Sequence, residues 1–174
     1  MGASILVAYA TRYGSTTDVA EAVAEELTKL GHEATVELAK EVRTLQGFDA
    51  VVLGAPLYIG SLGSGPHAFL KRFAEDLERL PVAVFVLGPL NDKPDDLANI
   101  DTQIEKELAK VGWLKPVSTK VFGGALDPTK LRFPDSMLNL MPASPFKDMP
   151  PTDVRDWEAI RAWAASLPEA FGLA

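Results

Sequence analysis

Four short runs of nearly uninterrupted apolar residues, at positions 4–10, 50–55, 81–88 and 117–123, most tightly constrain what this chain can fold into. A run such as Ala50-Val51-Val52-Leu53-Gly54-Ala55 lacks the polar alternation of a strand with one wet face. It reads as a strand covered on both faces, the condition of strands in a parallel sheet. A weaker, alternating run at 34–38 adds a fifth candidate strand. Helical patterns separate the runs. Val19, Val23, Leu27 and Leu30 share one face of a helix that stops at Gly31, with Glu21, Glu25 and Lys29 facing out. Pro66 suits a first helical position, and Phe69, Leu70, Phe73 and Leu77 form the next apolar stripe. Ile100, Ile104, Leu108 and Val111 make a third, ended by Gly112. Val154, Trp157, Ile160, Ala164 and Leu167 make the last, with Thr152 or Asp153 placed to cap it.

Strands alternating with helices through short connections require right-handed crossovers, and so a doubly wound, three-layer α/β sandwich. Five parallel strands commonly run in the order 2-1-3-4-5, with ligands at the carboxyl ends of strands 1 and 3, where the winding reverses. That rule brings the loop at 11–16 beside the loop at 56–65, with 89–96 next along the same edge. At 174 residues the chain reads as one domain, 1–174, with a core of ordinary size. One stretch breaks the pattern. Residues 124–151 are proline-rich, show no periodicity and run far beyond a usual connection, yet include Leu131, Phe133, Met137, Leu138, Leu140, Met141, Phe146 and Met149. Such apolar content implies an insertion that packs on something.

The first run leads directly into Thr11-Arg12-Tyr13-Gly14-Ser15-Thr16 and then into a helix. This arrangement aims backbone amides, the hydroxyls of Thr11, Ser15 and Thr16 and the positive end of a helix dipole at one point, which suits a phosphate. Neither G-x-G-x-x-G nor a Walker loop is present. Arg12 either pairs that phosphate or is solvated. A phosphate held by hydroxyls and amides, with the ligand body across the neighbouring loops, is the construction of a flavin mononucleotide (FMN) site. Pro56, Leu57, Tyr58, Ile59 and Gly60 could line one edge of a flat heterocycle, with Tyr58 stacking on it. Gly88, Pro89, Leu90, Asn91 and Asp92 hold no aromatic side chain, so one ring face stays open to a substrate or quinone. The glycine-rich run at 60–65 follows the wrong strand for a phosphate loop and reads as a flexible approach to Pro66. His67 reads as a surface or packing residue, Asp92, Asp95 and Asp96 as a solvated charge run. No catalytic acid or base is identified.

Other chemistries are excluded on the same residues. Lys and Arg number 17 against 24 Asp and Glu, a net charge of −7 that argues against nucleic acid as a partner. Cysteine is absent, which removes disulfides, thiolate chemistry and cysteine-ligated metal, so redox work would fall to a bound cofactor and no metal site is expected. The first apolar run is too short for a signal sequence and none approaches a membrane span, so a cytoplasmic protein is expected. A phospho-receiver domain would need carboxylates where Ala10-Thr11 and Ala55-Pro56 stand, and a serine hydrolase would need G-x-S-x-G.

The motifs I-L-V-A-Y-A-T-R-Y-G-S-T, F-D-A-V-V-L-G-A-P-L-Y-I-G and F-G-G-A-L, together with T-D-V-R-D-W before the last helix, resemble the flavodoxin superfamily. Within it they are most similar to the branch containing menaquinone-dependent protoporphyrinogen oxidase. The Thr-Arg-x-Gly-x-Thr loop is closer to this branch than to electron carriers, which usually have a second threonine where Tyr13 stands. The resemblance implies a flavodoxin-like fold and FMN, with phosphate contacts at Thr11, Arg12, Gly14, Ser15 and Thr16 and the flavin ring against 56–60 and 88–91. It implies electron flow from a reduced, porphyrinogen-like substrate through FMN to a quinone. The insertion would then govern substrate and quinone access, so that its loss abolishes turnover and spares FMN binding. Its prolines interrupt any amphipathic helix, which limits 124–151 to a peripheral membrane contact. The alternative is a flavodoxin-type electron carrier, docking redox-partner proteins through its acidic surface.

Overall fold

The computed structural model describes the chain from Gly2 to Ala174, with Ile59, Asp92 and Pro145 outside the described residues. Two sequence expectations fall on those positions, Ile59 as a ring contact and Asp92 in the acidic run. Among the described residues, β1 (Ser4–Tyr9), β2 (Glu33–Leu38), β3 (Ala50–Pro56), β4 (Val82–Leu87) and β5 (Ser118–Phe122) form one parallel sheet in the order β2-β1-β3-β4-β5. The register sets Tyr9 opposite Gly54 and Pro56 opposite Leu87, so the carboxyl ends of the three central strands finish side by side.

The pleat sends alternate residues of β1 into two cores. Ile5, Val7 and Tyr9 face α1 (Ser15–Lys29) and α5 (Trp157–Ala170), while Leu6 and Ala8 face the layer of α2 (Ser64–Arg72), α3 (Ala74–Leu77) and α4 (Pro94–Ala109). Val51, Val52, Leu53 and Val82 to Val86 are all essentially inaccessible, as continuous apolar runs require. Each buried Val, Leu or Phe among them contributes about 1.5–3 kcal/mol through burial. Phe85 anchors the α5 side, with Trp163 edge-on at 6.0 Å between ring centres and Phe122 at 6.4 Å. Gly54 lies opposite Phe85 on β3 because that ring fills its space. A Cβ there would stand 2.2 Å from the nearest ring carbon.

The helix signals hold in part: Pro66 is the third residue of α2 and not the first, the stripe from Phe69 to Leu77 is divided between α2 and α3 at Phe73, Val111 lies beyond the end of α4, and Leu30 is an exposed cap of α1 outside its buried face. α1 stops where Gly31 takes a left-handed conformation, φ 91°. The last helix, however, begins at Trp157, capped by Asp156, whose carboxylate accepts from the Ala159 amide at 3.0 Å. Thr152 and Asp153 instead form a short strand, β7 (Thr152–Asp153), antiparallel to β6 (Ala125–Leu126). A cap and an edge strand both favour a short polar residue outside a helix, and Asp156 has the spacing to reach a first-turn amide. The β6–β7 ladder pins both ends of the insertion beside β5. Among the described residues, two 3-10 turns run between them, Pro128–Lys130 and Asp135–Leu140.

Candidate functional site

The turn after β1 is closed from within. Thr11 Oγ1 accepts the Gly14 amide at 2.8 Å, and Gly14 takes φ 92°, a conformation glycine adopts without strain. Among the described residues no side chain caps the start of α1, so its first amides and its dipole are left for a ligand. Thr16 stands in that first turn, fully buried, and its Oγ1 has no hydrogen-bond partner among the described residues. A buried hydroxyl left unpaired costs free energy. An anion bound at this turn would satisfy it.

Beside the turn lies a cavity of about 370 Å³, within the range of small-molecule sites. Arg12, Tyr13 and Ser15 form one side, Pro56, Leu57 and Tyr58 a second, Gly88 and Leu90 a third. The loop after β3 is held as a tight turn, Tyr58 and Ser61 exchanging amide–carbonyl bonds at 2.9 and 3.1 Å, with Gly60 at φ 74°. Among the described residues, Thr11, Gly14 and Thr16 of the first loop and Gly60, Pro89 and Asn91 of the other two do not line the cavity. Gly60 serves that turn, Pro89 accepts the Gly124 amide at 2.9 Å, and Asn91 accepts the Lys93 amide at 3.0 Å just before α4.

The fourth side is the insertion. Leu126, Leu131, Leu138 and Phe146 line the same cavity as the loop at 88–91, which has no aromatic wall of its own. Beyond Leu126, which belongs to the F-G-G-A-L motif, residues 124–151 announced themselves only by apolar content, and the side chains that reach the cavity carried no motif. Asp135 carried none either. The residue is only 7% exposed, and its carboxylate meets Arg12 Nε at 2.7 Å and Nη2 at 2.8 Å, accepts the Tyr13 hydroxyl, and lies 3.4 Å from the Tyr58 hydroxyl. Burial and this bond push the Tyr13 phenol above its ordinary pKa, which keeps it a donor. Arg12 also lies over the Tyr58 ring, 4.5 Å from its centre.

A second arginine steadies the phosphate-type turn from behind. Arg155 donates to the Ser15 carbonyl at 3.2 Å and to Asp18 at 2.8 Å, is paired with Asp153, and stacks on Trp157 at 4.8 Å. His67 lies away from the cavity and bonds Glu107 at 3.2 Å, in a cluster with Ser61 and Lys110. The Lys110 bond, with a further one from His67, holds the Glu107 carboxyl below its ordinary pKa.

A family model described as a flavodoxin domain matches residues 6–141. Among curated proteins, protoporphyrinogen IX dehydrogenase [quinone] of Escherichia coli (strain K12) is 28% identical over 172 residues, covering 93% of each chain. Among solved structures, oxidised flavodoxin 1 from Bacillus cereus superposes with TM-score 0.56 at 17% identity, over 95% of this chain and 97% of that one. A flavodoxin from the domain Archaea superposes with TM-score 0.59 at 14% identity, over 97% and 99%. These last two show the fold. An uncapped helix start, an orphaned buried hydroxyl and a cavity alongside are what a flavin bearing a single phosphate requires. Matched over most of its length, the chain belongs to the flavodoxin-domain family, a family whose cofactor is FMN.

Proposed function

We propose that this flavoprotein oxidoreductase takes electrons from a reduced, porphyrinogen-like substrate and passes them to a quinone-type acceptor. The observation that carries this reading is the roofed cavity. Apolar side chains of the insertion cover the edge where three loops meet, which suits a flat, apolar reactant better than a protein docked on an open ring edge. Similarity to the E. coli dehydrogenase along nearly the whole chain supports the same class of reactants. FMN, when bound, supplies the electron transfer itself. The residues of this chain bind and orient. Thr16, Ser15 and the first amides of α1 would hold the phosphate, and Pro56, Leu57, Tyr58, Gly88 and Leu90 would bound the ring.

No described helix is long and apolar enough to cross a membrane. Phe133, Met137, Leu140 and Met141 of the insertion are nonetheless more than half exposed. Such a patch supports peripheral contact with a bilayer, the phase in which a quinone is dissolved. The test is an anaerobic assay of FMN-loaded protein with protoporphyrinogen and a menaquinone analogue, with and without liposomes. Turnover dependent on the quinone is the expected result; none with any quinone rejects the reading. The net charge of −7 favours a second reading, an electron carrier docking basic partners. That reading requires electron exchange with a redox protein at a rate that falls steeply with salt.

A further inference from the structure

Arg12 stands inside the phosphate-type turn, and a phosphate is the obvious partner for its charge. The geometry gives it another. Its guanidinium meets the Asp135 carboxylate through two nitrogens, a two-pronged pairing stronger than a single contact. The same carboxylate takes the Tyr13 hydroxyl from the turn after β1, with the Tyr58 hydroxyl of the turn after β3 at 3.4 Å. Asp135 is therefore where both ligand-holding loops and the insertion converge, across sequence separations of 123, 122 and 77 residues. A carboxylate this buried costs desolvation free energy, which its donors offset. An exposed ion pair would carry little such weight. Leu131 and Leu138, on either side of it in the chain, are walls of the cavity.

We propose that Arg12 does not read the phosphate. With Tyr13 and Tyr58 it forms the seat of Asp135, a positioning residue that fastens the insertion over the ring half of the flavin site. This rests on the FMN reading above and goes further: the insertion belongs to the cofactor site, so its loss weakens flavin binding instead of sparing it. Recognition of the phosphate is left to Thr16, the neighbouring hydroxyl of Ser15 and the helix amides.

Two flavins that differ only in the phosphate separate these roles. FMN and riboflavin are titrated into the apoprotein by flavin fluorescence, for wild type, Arg12→Gln, Asp135→Asn and the double variant. Phe133→Ala, 79% exposed on the same insertion, is the control. Each single substitution should weaken both flavins by the same factor, roughly ten- to hundredfold, with the double no worse than either. Phe133→Ala should bind both as wild type does. A loss confined to FMN in Arg12→Gln, with Asp135→Asn unchanged for both, overturns the proposal and returns Arg12 to the phosphate. Wild type needs no substitution for a second measurement. Riboflavin should slow tryptic cleavage at Lys130, Arg132 and Lys147, and cleavage at an unchanged rate also overturns the proposal. A wild type that binds neither flavin overturns the FMN reading itself, and this inference with it.

Discussion

Replacing Thr16 with valine should move two measurable quantities in opposite directions. The side chain is wholly buried in the first turn of α1, and its hydroxyl has no partner among the described residues. Valine keeps the shape and puts a methyl where the hydroxyl was. Without ligand, the substitution removes an unsatisfied polar group, so the apoprotein should gain about 1–2 kcal/mol. For a chain of this size that raises Tm by about 2–8 °C. With FMN, the same substitution deletes a hydrogen bond to a charged phosphate, a loss of about 1.5–3 kcal/mol, or roughly ten- to 150-fold in Kd. Riboflavin, which has no phosphate, should bind both proteins equally. Calorimetric or urea unfolding of the apoprotein gives the first quantity, and fluorescence titration with the two flavins gives the second. An apoprotein destabilised by the valine, together with undiminished FMN affinity, refutes the reasoning, because the hydroxyl would then have a structural partner and no ligand.

Other outcomes follow from the same geometry. Gly54→Ala places a methyl against the ring of Phe85, which Trp163 and Phe122 hold in place, and should cost about 1–3 kcal/mol in urea unfolding. Arg155→Ala releases the Ser15 carbonyl, Asp18 and the Trp157 face at once. It should cost about 2 kcal/mol and weaken FMN more than riboflavin, because the released turn is the proposed phosphate seat. Glu107 has a lowered pKa in the folded protein, so its contribution to stability is present above the ordinary value of 4.5 and is lost as pH falls through the folded value. The Tm advantage of wild type over Glu107→Gln should therefore shrink on acidification below pH 4.5, and an advantage that grows in acid would contradict the assignment.

The strands, their parallel arrangement and the turn at 11–16 were legible because each depends on neighbours in sequence. Ala50–Pro56 is a buried strand whatever packs on it, since an unbroken apolar run cannot present a wet face. The crossover rule then orders the sheet, and strand ends bring two loops together. The start of α5 was placed by the apolar stripe, which admits Val154, and by a cap expected at Thr152 or Asp153. Only the backbone pairing of Thr152 and Asp153 with Leu126 and Ala125 shows that the helix begins at Trp157. Periodicity is blind to a residue whose hydrogen bonds go to a distant strand.

Patterning along the chain is enough for the scaffold and for one part of the candidate site: a doubly wound sheet and a hydroxyl-rich turn at its switch point, with a helix directly behind it. The remaining part depends on contacts between distant segments. Leu131, Leu138 and Phe146 roof the cavity, and Asp135 draws Arg12, Tyr13 and Tyr58 to one carboxylate. The two differ in range. Strand and helix signals arise from the alternation of side chains along a few turns of backbone, whereas a carboxylate 123 residues from its arginine leaves no local periodicity and finds its partners only once the sheet has brought both ends together.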